Sequence, residues 1–179
     1  MEQQDLFGPT ADAPQVPAEQ PGFTEADMAF KGNDALLEAA VELFRLRGEL
    51  LDTKRAPGMP EEDREDAAAM LETLETSFRM RVRVTPNTVP LLKRARALRL
   101  TPLETELLLG LVLAELGLLQ QRVSTVQELI GVLCLAPPDA LAALRALSES
   151  GTLLRKGTVF YGDPDEELRD RELHLAPDL

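Results

Sequence analysis

Seven arginines and lysines and not one carboxylate fall in "SFRMRVRVTPNTVPLLKRARALRL", residues 77–100, of a chain whose formal net charge is −12. Arg79, Arg81, Arg83, Lys93, Arg94, Arg96 and Arg99 are therefore the candidate contact residues. Cations at this density attract carboxylates or phosphates. The rest of the chain has the opposite sign. Residues 34–78 carry five basic and twelve acidic groups, a balance of −7. Residues 100–151 carry two and six, and residues 152–179 four and seven.

Covalent and metal chemistry have little to work with. Cys134 is the only cysteine and His174 the only histidine, so neither an internal disulfide nor a second imidazole for a metal is available. A lone cysteine suits a small apolar core position and a reducing, cytoplasmic compartment. The acidic groups "EEDRED" (61–66) and "DPDEELRD" (163–170) fall at a helix start and a turn tip, where solvation is the ordinary fate of charge. "DPDEE" also lacks the glycine and spacing of a calcium loop. No G-x-x-x-x-G-K-[ST] phosphate loop occurs, and the Lys-Gly of "RKGT" is in the wrong order on an expected strand. The residues call for no cofactor and no catalytic constellation. The apolar run at 107–119 is too short to span a bilayer and contains Glu115, so a buried helix is expected and no membrane association.

These residues need elements to position them. Residues 1–33 hold four prolines, one basic and six acidic groups, and no sustained apolar period, which predicts a disordered leader with Phe7, Phe23 and Phe30 as its aromatic side chains. Residues 34–84 predict a helical hairpin. Its first helix carries Leu36, Leu37, Ala40, Val41, Phe44 and Leu51 at helical spacing, with Asn33 or Asp34 as cap, and "APGMP" stops it. The second starts near Glu61 and carries Met70, Leu71, Leu74 and Phe78. Arg79, Arg81 and Arg83 then alternate with Met80, Val82 and Val84, a period of two that predicts a short extended segment. After "TPNTVP" comes a basic helix with Leu91, Leu92, Ala95 and Leu98 on one side.

"TPLETELLLGLVLAELG" starts with Thr101 as N-cap, Pro102 at the first helical position and Glu104 completing a capping box, and Gly117 suits its end. "STVQELIGVL" starts another helix, capped by Ser124 with Gln127 or by Thr125 with Glu128. "PPDALAALRALSESG" is a third, entered through Pro138 and closed by Gly151. "TLLRKGTVFYG" and "RELHLAP" read as two antiparallel strands about a polar turn. The expected fold is mainly α: a helical hairpin (34–84), then a winged-helix domain (85–179) with a two-stranded β-wing.

The succession "LLKRARALRLTPLETELLLGLVLAELG", "STVQELIGVL", "GTLLRKG", "RELHLAP" resembles the N-terminal winged-helix region of a group of large bacterial AAA+ ATPases. The resemblance covers residues 91–177 and implies a non-catalytic docking or regulatory module that meets protein partners, an ATPase core in cis among them. The missing phosphate loop implies that this chain does not itself hydrolyse ATP. A DNA-binding regulator is the alternative, and self-association through acidic hairpin and basic segment is a third reading. DNA recognition is disfavoured because the third helix offers only Arg145 against Asp139 and Glu149, and the wing tip carries Asp163, Asp165, Glu166 and Glu167. No aromatic lies between Phe78 and Phe160 to stack on single-stranded bases. Arg79, Arg81 and Arg83 are expected to face the acids of the hairpin.

Overall fold

The computed structural model describes residues 28–119, 123–133, 137–163 and 165–177. The leader up to residue 27, with Phe7 and Phe23, and Cys134 lie outside the described residues. Seven helices and a two-stranded antiparallel sheet make up the described part: α1 (Asn33–Arg55), α2 (Glu61–Val84), α3 (Pro90–Ala97), α4 (Pro102–Glu115), α5 (Val126–Val132), α6 (Pro137–Ala146), α7 (Thr152–Arg155), β1 (Val159–Tyr161) and β2 (Leu173–Leu175). The protein is mainly helical, with Val159 opposite Leu175 and Tyr161 opposite Leu173 in the sheet.

α4 is the centre. It is apolar nearly all round, and it packs against α1, α3, α5, α6 and β2, so every side of it is covered. Leu107, Leu108, Leu109, Leu111 and Leu113 are buried, whereas Leu116, at the foot of the helix, is exposed. Its first turn closes as the sequence predicts: Thr101 Oγ1 accepts from the Glu104 N–H at 3.2 Å, and Glu104 Oε2 accepts from the Thr101 N–H at 2.8 Å. Gly117 takes a φ of 65° just past its end, with the Leu118 N–H on the Leu113 carbonyl and the Gly117 N–H on Ala114, a Schellman closure. α5 opens with the second capping box, and Thr125 with Glu128 is the pair used.

The hairpin and the remainder share one core, in which Leu36, Ala40 and Phe44 of α1 join Leu107, Leu129 and Leu147. Phe30, assigned to the leader by its sequence, belongs to this core. Its ring lies 5.9 Å from that of Phe78, its N–H donates to Thr85 Oγ1 at 2.9 Å, and it is 2% exposed. Neither Asn33 nor Asp34 caps α1: Gly32 is the N-cap, and Asn33 Oδ1 accepts instead from the Leu91 N–H.

Four expectations are corrected. The segment from Arg79 to Val84 is not extended but the last turns of α2. Leu74, Phe78 and Val82 recur every four residues and pack on the core, so helical periodicity prevails over the alternation, whereas Met70, one step further back in the same spacing, is exposed. The residue before Pro86, Thr85, is extended and ends the helix. α6 stops at Ala146, well short of Gly151. Gly151 instead opens α7, and a Cβ there would meet the Ala146 carbonyl oxygen at 2.0 Å. "TLLRKG" is not strand but α7 and a turn at Gly157, whose φ is 63°, because Leu153 and Leu154 reach the core from a helical turn. The strands shrink accordingly to three residues each.

Candidate interaction surface

Because residues 79–84 are helical, their basic side chains divide between faces. At 3.6 residues per turn Arg79 and Arg83 share a face of α2, while Arg81 points elsewhere. Arg81 is committed to the fold: its Nε donates to the Met28 carbonyl at 3.1 Å and its guanidinium sits 4.2 Å from the centre of the Phe30 ring. Arg79 meets Glu75 at 3.7 Å, an acid of the hairpin, but its closer partner is Glu106 of α4 at 3.3 Å. Arg83 is exposed, and its side chain has no hydrogen bond or ion pair among the described residues.

Arg96 is a clamp. From α3 its guanidinium donates to the carbonyls of Val82 (2.8 Å) and Thr85 (2.6 Å) and to Asn87 Oδ1 (2.6 Å), which satisfies the last carbonyls of α2 and holds the α2–α3 turn shut. Arg94 is half-buried and engaged. Lys93 and Arg99 are exposed, and their side chains, like that of Arg83, are unpartnered among the described residues.

Arg99 is also backbone-strained. It takes a φ of 52° at the position after the α3 C-cap, with the Leu100 N–H on the Ala95 carbonyl and its own N–H on Arg96. The same closure carries glycine at Gly117 and at Gly157. A side chain in the left-handed region costs on the order of 1–2 kcal/mol, and such outliers concentrate at functional sites.

Between α2 and the α3–α4 turn lies a groove of about 570 Å³. Phe78, Val82, Leu100 and Pro102 give it an apolar lining, together with Met80, which is 44% exposed. Arg79, Arg83 and Arg96 also line it, together with Glu106, whose charge Arg79 offsets, which leaves Arg83 as its cation without a partner among the described residues. The surface can therefore take a ligand that combines an apolar side chain with negative charge.

The sequence reading missed the polar cluster beneath this surface. Arg47, 1% exposed, donates to the Leu133 carbonyl at 2.8 Å and pairs with Glu106 at 3.0 Å and with Glu75 at 3.0 Å. Arg47 continues the buried stripe of α1 formed by Leu36, Ala40 and Leu43, and Glu106 stands in an otherwise apolar helix. Two opposite charges at core positions were the available signal.

Glu104 and Tyr161 are held in place by hydrogen bonds within the fold. Burial pushes the Glu104 carboxyl up, but the Thr101 N–H, the hydroxyls of Thr152 and Thr101, and the Lys156 charge outweigh it and hold the group below its ordinary range. Burial raises the Tyr161 hydroxyl, against the pull of Arg171 and with the push of Glu149, to about 12, and the hydroxyl donates to the Leu147 carbonyl. His174 stacks on Phe160 at 5.3 Å and lies 3.7 Å from Glu172. Among the described residues no three His, Cys, Asp or Glu side chains cluster as metal ligands, and no helix is long and apolar enough to cross a membrane. No protein-family model, curated protein or solved structure matches the chain.

Proposed function

We propose that the chain is a non-catalytic docking and regulatory module of winged-helix type, which meets an acidic protein partner through the basic surface at the end of α2 and on α3. The observation that carries this reading is that Arg83, Lys93 and Arg99 are all exposed and unpartnered among the described residues, with Arg99 held at a positive φ. Three exposed cations with no structural work, one of them held at an energetic cost, are best accounted for by a partner that supplies the anions.

The winged-helix part of the reading is supported by element order: α4, α5 and α6 precede the β1–β2 pair. It is further supported by the bridge of Thr125 to Glu172, with the Leu173 N–H on the Ser124 carbonyl, which adds the segment before α5 as a third edge to the sheet. The likeness to AAA+ ATPase N-terminal regions rests on the sequence resemblance alone and makes an ATPase core a natural partner. DNA is the weaker partner because α6 carries Asp139 in its first turn, and Asp163, Asp165, Glu166 and Glu167 lie between the strands.

A photo-reactive residue in place of Lys93, activated in cells, tests the reading. The expected outcome is a protein adduct of defined mass that disappears when Arg83→Glu and Arg99→Glu are introduced, with thermal stability retained. Adducts to nucleic acid alone, or capture indifferent to the reversals, would overturn it.

A further inference from the structure

We propose that the groove between α2 and the α3–α4 turn is the docking surface for the chain's own acidic leader, residues 1–27, with Phe23 as its anchor. This inference does not depend on the function proposed above.

Charge is the first argument. The leader has six acidic groups, Glu2, Asp5, Asp12, Glu19, Glu25 and Asp27, and no basic one, while residues 79–99 have seven basic groups and no acid. Three of the acids flank Phe23, so one short stretch offers an aromatic ring for an apolar floor and carboxylates for a basic rim. Arg83, on that rim, lacks any other partner among the described residues.

Place is the second. The leader joins the described structure at Met28, whose carbonyl Arg81 holds at 3.1 Å. Met28 lines a shallow cleft with Thr73, Thr76, Ser77 and Met80, and Thr76 and Met80 line the groove as well. The leader therefore begins at the mouth of the groove.

Reach is the third. Phe23 lies five residue steps before Met28, a stretch that spans up to about 17 Å when extended. Met80 to Arg83 is only about 4.5 Å along a helix, so Phe23 attains the groove without strain. Phe7 could attain it too, but closing the longer loop costs more entropy. A tether this short makes the effective concentration of the anchor on the order of millimolar, enough for a weak contact to be occupied.

The chain has no tryptophan, so Phe23→Trp in the full chain provides a single reporter. The expected result is blue-shifted emission and shielding from acrylamide, independent of protein concentration. Both should be lost in Phe23→Trp/Arg83→Glu and in 1 M salt, where the screening length is about 3 Å. Arg83 is exposed, so retained far-UV circular dichroism is expected for that variant, and Phe23→Trp/Met80→Gln provides a second lesion in the apolar lining. Emission typical of a solvated indole in the parent variant overturns the proposal. So does shielding that appears only as concentration rises, which would make a second copy the occupant, or shielding indifferent to Arg83→Glu, Met80→Gln and salt alike.

Discussion

The guanidinium of Arg47 on α1 and the carboxylate of Glu106 on α4 meet at 3.0 Å with side chains 1% and 4% exposed. Hairpin and central helix are thus joined by a charge pair that water cannot replace. Glu106 also accepts from Arg79, so the same buried acid steadies a residue at the margin of the groove.

Removing one member of a buried pair leaves the other uncompensated, typically at a cost of about 3–5 kcal/mol. Here each keeps a second partner, Arg47 with Glu75 and Glu106 with Arg79, so Arg47→Met and Glu106→Leu are expected near the low end, about 3 kcal/mol each. The double variant Arg47→Met/Glu106→Leu should be less destabilised than the sum. A double-mutant cycle from urea melts measures that coupling, and simple additivity would mean that the pair contributes no specific link between α1 and α4.

Thr101→Ala should cost on the order of 1 kcal/mol through loss of the α4 cap. Leu108→Ala or Leu111→Ala should cost roughly 2–5 kcal/mol, because each leaves a cavity in the packed centre. Melts read for midpoint at constant slope give the ranking. Near-parental midpoints for both leucine variants would mean that α4 is an exposed face and not a core.

The parts of the fold written in local chemistry were legible. Thr101 with Glu104, Thr125 with Glu128, and Gly117 mark helix ends by hydrogen bonds within a few residues, and they lie where their types predict. What misled was local too: the Arg–apolar alternation at 79–84 is compatible with strand and with helix, and only packing of Phe78 and Val82 decides between them. Gly151 illustrates the same limit, since it serves α7 and not α6 for lack of space beside the Ala146 carbonyl, a constraint set by tertiary approach. Of the basic run, the sequence identifies the charge but cannot divide it. Arg81 and Arg96 spend theirs on carbonyls fifty-three and eleven residues away, whereas Arg83, Lys93 and Arg99 do not.

Glu104 should make stability depend on pH in acid. Its carboxyl titrates below its ordinary range when folded, so the unfolded chain takes up the proton first as pH falls. The stabilisation is present above the unfolded value, about 4.3, and is lost as pH drops through the lower folded one. Glu104→Gln cannot titrate, so the gap in unfolding free energy between parent and variant should be constant from neutral pH to about 5 and narrow below it. A gap that widens in acid would contradict the assignment.

Arg99→Gly separates stability from binding. Glycine adopts a φ of 52° without the Cβ penalty that arginine carries there, and it is the usual residue at this place in a Schellman closure. The Arg99 side chain has no partner among the described residues to lose, so the variant should be more stable by about 1 kcal/mol, read as a higher urea midpoint at unchanged slope. If the exposed cations serve an acidic partner, the same change should weaken capture by that partner although the fold has gained. Asn, which also tolerates the left-handed region, should recover part of the stability gain and none of the binding. Should Arg99→Gly instead destabilise the protein, the arginine has a structural role that its exposed position conceals, and the case for a binding surface loses its main support.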